Sequence, residues 1–229
     1  EEESRAQSTD PAGPLLGPTT KGPGRNLARR SPSSMEGGSD VDLAFHLMLD
    51  AGPALQRGTV VHAWCEAIEW LEDGLPSDEA LQTIAHKEAP TMPADEVAKL
   101  AQDFREWMES ADIRQKLGRA AYPDDPGTEV RVENELPFVR RVDGNIQQGF
   151  IDRLVLIERD GQVVGAEVLD FKTDRIAAGD DVGLAARTEH YQPQIEAYCE
   201  VVRERYGLAE GEVGGKLLFL EAGVVRGVG

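Results

Sequence analysis

Two segments of alternating polarity, joined by a two-residue turn, constrain the fold of this chain most strongly. Residues 146–158 and 162–173 flank Asp160-Gly161, a dipeptide that is typical of a β-hairpin turn. Because successive side chains of a strand point to opposite faces, Asp170 and Lys172 share one face, and the residues between and beside them face the core. The pattern therefore predicts a hairpin that presents a carboxylate and an ammonium group side by side.

A second carboxylate joins that face only if the hairpin is irregular. A regular two-residue turn would place Asp152 opposite Leu169, so the two aspartates would lie on different faces. A one-residue bulge or a longer loop would bring them together, and bulges are common beside functional sites. Gly165 offers a position for the bulge, because glycine inside a strand often marks one.

The composition fits one soluble globular domain. The 229-residue chain is 40% hydrophobic, and no run approaches the roughly 18 apolar residues of a membrane span. Cys65 and Cys199 are far apart, which argues against a disulfide framework, a zinc ribbon or an iron-sulfur cluster. We expect a cytoplasmic protein without membrane association. Since residue 1 is glutamate and no signal peptide is recognisable, we interpret the sequence as a C-terminal fragment of a longer polypeptide.

The charge balance argues against tight nucleic-acid binding. With 24 basic and 42 acidic residues the net charge is -18, whereas phosphate binding usually depends on a basic surface. A cation in a carboxylate pocket can still present local positive charge to a phosphate, and a partner or an upstream domain could supply the remaining grip. The acidity therefore does not exclude phosphodiester chemistry.

The chain divides into a tail and one domain. Residues 1–40, rich in proline, glycine and serine, are predicted to be a flexible linker, and residues 41–229 to form an α/β domain with helices first and a mixed β-sheet after them. The predicted helices are 53–73, 78–87, 93–108 and 189–206, the predicted strands are 128–142, 146–158, 162–173 and 216–221, and residues 174–188 are expected to be irregular.

The residue types at the hairpin suit metal-dependent hydrolysis. Asp152 and Asp170 are hard oxygen ligands of the kind that Mg²⁺ or Mn²⁺ prefers. Lys172 beside them could orient or deprotonate an attacking water. Asp-x-Lys alone is a weak signal, because a surface Asp-Lys pair is common in soluble proteins.

Five blocks in a fixed order make the signal specific. The blocks run Arg57 to His62, Glu135 to Phe138, Gly149 to Asp152, Asp170 to Asp174, and Tyr191 to Tyr198. In this order they resemble the nuclease domain of the RecB/AddA-type helicase-nucleases, which belong to the PD-(D/E)XK superfamily, over about residues 50 to 229. The literal Pro123-Asp124 is not part of the match, because it lies in a predicted turn.

The resemblance implies a restriction-endonuclease-like mixed sheet and a Mg²⁺ or Mn²⁺ site. The implied metal ligands are His62, Asp152, Asp170 and the carbonyl of Phe171, and the implied catalytic residues are Asp152, Asp170 and Lys172. Without the other blocks, His62 would be interpreted as a half-buried helix histidine. No iron-sulfur cluster is expected, since the four cysteines that clamp related nucleases are absent from the sequence.

The last block implies contacts with DNA. Gln194 and Tyr198 match a pair that braces the site and contacts DNA, and Tyr191 belongs to the same block, although Tyr198 could instead be plain core. Glu135 is expected to support the fold rather than bind the metal. The resemblance also implies a role in double-strand break repair and recombination and an upstream helicase motor that alone uses ATP. A second helicase-nuclease subunit is a further partner that it allows.

Two rival functions stay open at this point. The first is a degenerate nuclease-fold module that binds DNA or a partner without cleaving, which the joint presence of His62, Asp152, Asp170 and Lys172 disfavours. The second is a carboxylate-pair hydrolase of another substrate, such as a glycosidase. Lys172 so close to Asp170 argues against that second rival.

Overall fold

Two hairpins and a crossover helix arrange the strands into one mixed sheet. This computed structural model describes residues 29–30, 52–142 and 144–228. The strands are β1 Arg29–Arg30, β2 Thr128–Val142, β3 Asn145–Arg159, β4 Gln162–Lys172, β5 Val213–Phe219 and β6 Val224–Val228. β3 pairs antiparallel with both β2 and β4 and parallel with β1. β5 runs parallel to β4 and antiparallel to β6. The predicted α/β class with a mixed sheet is confirmed.

Helices cover both faces of the sheet and form two cores. The described helices are α1 Gly52–Glu66, α2 Asp78–Glu88, α3 Ala94–Met108, α4 Ala111–Leu117 and α5 Asp181–Tyr206. The first four pack with one another and on one face, in a core that includes Val60, Trp64, Leu81, Phe104, Leu169 and Phe171. Helix α5, which connects β4 to β5, packs on the other face, in a core that includes Leu154, Val168, Ile195, Leu217 and Phe219.

Two local predictions about helices were wrong, and one helix was missed. Helix α1 ends at Glu66 rather than at residue 73, and a separate 3-10 turn follows at Leu71–Asp73. Helix α5 begins at Asp181, inside the segment expected to be irregular, because the Asp180 side chain accepts a hydrogen bond from the Gly183 amide at 2.9 Å and caps it. Helix α4 was not predicted at all.

The expected irregularity of the second hairpin is a one-residue bulge. Ile157 lies opposite Gly165 and Glu158 lies opposite Val163, so Val164 is the extra residue. Beyond the bulge Arg153 lies opposite Leu169, and the next step of this register brings Asp152 opposite Asp170. The bulge therefore brings the two aspartates into one cross-strand row, as predicted.

In the β2–β3 hairpin, the side chains of β2 change faces at the level of the row formed by Asp152 and Asp170. Val132 packs with the first core and Leu136 with the second, although residues four apart on a straight strand would share a face. Glu135 between them has φ of 50°, in the left-handed region. The outer half of the β2–β3 hairpin consequently wraps around α5, where the Phe138 and Tyr198 rings lie 5.8 Å apart.

The predicted linker, residues 1–40, lies outside the described residues except for Arg29–Arg30, which form β1. Within the described ranges no helix has both the length and the apolar character that crossing a membrane requires.

Candidate metal centre

Three carboxylates from neighbouring strands meet in one cross-strand row. Glu135 and Asp152 face each other between the paired residues Asn134 with Arg153 and Leu136 with Ile151. On the other side of β3 the register places Asp170 next in the row. The Phe171 amide donates a hydrogen bond of 2.9 Å to Asp152 Oδ2, which ties the two strands together at this point. The bulge in β4 and the turned strand at Glu135 thus position the row.

Helix α1 adds an imidazole to this row. His62 Nδ1 lies 3.4 Å from Asp152 Oδ2, and the imidazole ring stands edge-on to Phe171 at 6.2 Å. One ligand atom from each of His62, Glu135 and Asp152 lies within 4.8 Å of the others. These three side chains are only partly buried, so a small ion could reach them from solvent.

Side chains from the strands hold α1 in place. The last carbonyls of a helix lack partners within the helix. Here Asn134 Nδ2 donates to the Glu66 carbonyl at 2.8 Å and to the Ile68 carbonyl at 3.1 Å. Arg153, which is fully buried, donates to the Ile68 carbonyl at 2.8 Å and to the Glu69 carbonyl. Because Asn134 and Arg153 flank Glu135 and Asp152, the same strand segments position His62 and its carboxylate partners.

A buried network fixes Lys172. Its Nζ lies 2.7 Å from Asp170 Oδ2 and donates to Gln194 Oε1 at 2.7 Å, and the Gln194 amide donates to the Tyr198 hydroxyl at 3.1 Å. The Tyr191 ring lies beneath the ammonium group, with its centroid 3.9 Å from Nζ. The ammonium group is therefore held beside Asp170 in a single orientation.

The site concentrates negative charge in a partly dry environment. Burial raises the pKa of Glu135 to about 7 and that of Asp170 to about 6, and in both cases the charge of Asp152 raises it further. For Asp152 burial also acts upward, but the charge and hydrogen bond of His62, with Lys172 and the Phe171 amide, bring its pKa below the usual range. Burial lowers the pKa of His62, yet Asp152 outweighs it and raises the value to about 8.

The donor set fits a hard divalent cation. Carboxylate oxygens with one imidazole are ligands that Mg²⁺ and Mn²⁺ accept. The contact between Lys172 and Asp170 Oδ2 lacks the angle of a hydrogen bond, and this buried oxygen accepts none from the described residues. The Lys172 ammonium group already offsets the charge of this oxygen, so the fit to a metal ion depends on the donors of His62, Glu135 and Asp152.

The structure brings together the principal predicted residues but changes their grouping. His62 and Asp152 lie together, and Asp170 lies beside Lys172 rather than within the closest group of potential ligands. The third member of the closest group is Glu135, which was expected from the sequence to have only a supporting role. The sequence signal for a hairpin at Asp143-Gly144 could have revealed it, because strands paired outward from that dipeptide have Glu135 opposite Asp152, which is the register of β2 and β3.

The residues predicted to touch DNA lie behind the site. Gln194 and Tyr198 are each 4% exposed, and Tyr191 donates its hydroxyl hydrogen bond to Asp174 at 2.9 Å. Their position fits the bracing role, through Lys172. Direct contact of these three side chains with DNA stays a prediction.

Fold and site together define an α/β domain with a carboxylate-histidine cluster at the point where three strands meet. No protein-family model and no curated protein matches this chain.

Proposed function

We propose that this chain is a divalent-metal-dependent nuclease that hydrolyses phosphodiester bonds in DNA. The observation that carries the proposal is the convergence of His62, Glu135 and Asp152 within 4.8 Å, next to the Asp170–Lys172 ion pair. The sequence resemblance to the PD-(D/E)XK nucleases independently selects four of these five residues.

The roles of the side chains follow from their chemistry. A divalent cation, when bound, supplies positive charge against a phosphate and lowers the pKa of water. His62, Glu135 and Asp152 would hold it, and Asp170 and the Phe171 carbonyl are the remaining candidates. Lys172 presents a fixed ammonium group beside the carboxylates, where it can orient a water or stabilise negative charge on a phosphate oxygen. Since Asp170 and Gln194 already hold that group, little reorganisation accompanies the reaction.

The biological setting is proposed from the resemblance alone. In it the domain would be the nuclease module of a helicase-nuclease that resects double-strand breaks, acting as an exonuclease in recombinational repair. ATP would be used only by a helicase motor in the same polypeptide, and a second helicase-nuclease subunit could be a further partner.

Cleavage assays with matched lysine variants test the activity. The wild-type chain is incubated with linear single-stranded and double-stranded DNA in Mg²⁺ or Mn²⁺, beside Lys172→Ala and Lys99→Ala, since Lys99 is an exposed lysine on α3. We expect the wild type and Lys99→Ala to degrade DNA and Lys172→Ala to lose at least about 100-fold in rate. Equal rates for the two lysine variants would remove Lys172 from the mechanism.

Metal binding separates an enzyme from a degenerate module. Calorimetric titration with Mn²⁺ should show binding to the wild type and strongly weakened binding to Asp152→Asn and His62→Ala. A wild-type chain that binds DNA but cleaves it in neither metal would support the rival function, a nuclease fold that only binds.

A further inference from the structure

An apolar strip runs along the outer face of the β2–β3 hairpin, on the side opposite to α5. We define the outer strip as Pro137, Val139 and Phe150. Val139 is 73% exposed and Phe150 is 57% exposed, and Pro137 lies opposite Phe150 in the strand register. The intervening Phe138 and Ile151 are buried in the second core. The strip is therefore an outward face that the strand alternation leaves open, rather than a gap in the core.

The outer strip leads directly to the candidate metal centre. Phe150 and Asp152 are two residues apart on β3, so their Cα atoms are roughly 7 Å apart. At the far end Arg141, which is exposed, lies opposite Ile146. From Arg141 to Asp152 the hairpin thus presents a cation, an aromatic face and the carboxylate row over a length of about 20 Å.

This order of surface groups along the hairpin suits single-stranded nucleic acid better than a duplex. An exposed aromatic ring stacks on an unpaired base, whereas the bases of a duplex are already stacked on each other. Arginine pairs with phosphate. A net charge of -18 disfavours broad electrostatic binding of DNA, so uncharged stacking should contribute relatively more to the affinity.

We propose that the outer strip binds single-stranded DNA next to the scissile phosphate, with the Phe150 ring stacked on a base and Arg141 on a backbone phosphate. The inference rests on the proposed nuclease function and names its substrate class. Phe150 is then a specificity-determining residue that favours single strands over duplex.

A tryptophan placed in the strip reports its occupancy directly. The three native tryptophans are buried, with Trp64 at 0% and Trp70 and Trp107 at 9% exposure, so Phe150→Trp adds an exposed indole. In a Lys172→Ala background, which prevents cleavage, iodide should quench this indole in the free protein. Oligothymidine of about 16 nucleotides should quench its emission and protect it from iodide, and a duplex of equal length should do neither.

Binding measured by fluorescence anisotropy supplies the matched control. Phe150→Ala should weaken the affinity for the labelled single strand about ten-fold and leave the affinity for duplex nearly unchanged. Val182→Ala removes an apolar side chain, 82% exposed, from the first turn of α5, and should leave both affinities unchanged. Far-ultraviolet circular dichroism checks that each variant is folded.

The outcomes distinguish the inference from the proposed function. If the wild type cleaves DNA but Phe150→Ala and Val182→Ala bind the single strand equally, the inference is wrong and the nuclease stands. An indole already shielded from iodide without DNA would mean that another part of the chain covers the strip, which also overturns it. If the wild type cleaves nothing while Phe150→Ala still loses affinity, the strip binds single strands and the catalytic proposal fails.

Discussion

At the scale of single residues, Asp152 is where the local features of the fold meet. It accepts a hydrogen bond from the Phe171 amide, lies 3.4 Å from His62, and sits between Glu135 and Asp170 in the cross-strand row. These neighbours come from one helix, α1, and two strands, β2 and β4. The potential ligands are therefore assembled only when the domain is folded.

Glu135 is the residue that the structure adds to the site, and its substitution tests that addition. Glu135→Gln should weaken Mn²⁺ binding by roughly 10- to 100-fold, because the amide keeps the shape but removes a charge next to Asp152. Titration calorimetry measures the effect, and Glu129→Gln, an exposed glutamate on the same strand, is the control. Unchanged affinity would return Glu135 to the supporting role expected from the sequence.

The two cysteines should be chemically silent in the native protein. Burial raises the pKa of Cys199 to about 11 and that of Cys65 well above its usual range. At pH 8 only about one Cys199 in a thousand would then be a thiolate, the form that reacts. Ellman's reagent should label neither residue within minutes in buffer and both in denaturant. Fast labelling of the native chain would show that its core opens.

At the scale of elements, the contact between the end of α1 and the β2–β3 hairpin should carry much of the local stability. Arg153→Ala removes one of the two side-chain donors to the Ile68 carbonyl and the donor to the Glu69 carbonyl. It also opens space beneath Trp70, whose ring centroid lies 5.3 Å from the guanidinium carbon. We expect a loss of about 3 kcal/mol in the free energy of unfolding.

Urea denaturation of Arg153→Ala and Arg159→Ala makes this comparison on one strand. Arg159 is exposed at the end of β3, so its removal should change the free energy of unfolding by at most about 0.5 kcal/mol. Similar midpoints for the two variants would mean that Arg153 does not clamp the helix end. The stability of the Arg153→Lys variant should lie between theirs, because lysine keeps the charge but not the forked donors.

Turns and strand irregularities that depend on neighbouring residues could be predicted from the sequence. Features that depend on contacts with distant parts of the chain could not. The Asp160-Gly161 turn and the bulge follow from turn geometry and alternation in the sequence itself. The end of α1 depends on Asn134 and Arg153, which are far away in the chain, so periodicity alone extended that helix too far. The turned strand has no sequence signal either, because glutamate rarely adopts positive φ.

At the scale of the whole molecule, the sheet separates two cores, and the site lies where residues from both sides meet. His62 comes from helix α1 on one face, and Lys172 is bound by Gln194 of helix α5 on the other. Apolar periodicity predicted the mixed sheet and four of the five described helices, and the motif order predicted that His62, Asp152, Asp170 and Lys172 would lie near one another. The third member of the closest ligand group was not predicted, because Glu135 lies where β2 turns over at a positive φ, which has no sequence signal. Asp170 is correspondingly nearer to Lys172 than to the group that holds His62.

Because of the overall negative charge, the affinity for DNA should depend only weakly on the salt concentration. A protein that binds DNA through many cationic side chains loses affinity steeply as salt rises, since each phosphate contact releases counterions. This chain carries a net charge of -18, and the proposed strip offers Arg141 as its cation. For one or two phosphate contacts on a single strand, the slope of log affinity against log salt should be only about -1. Anisotropy titrations of Lys172→Ala with labelled oligothymidine at several salt concentrations measure it, and Arg141→Ala should make the slope shallower still. A slope near about -5 would require a basic surface elsewhere and would contradict binding dominated by stacking on Phe150.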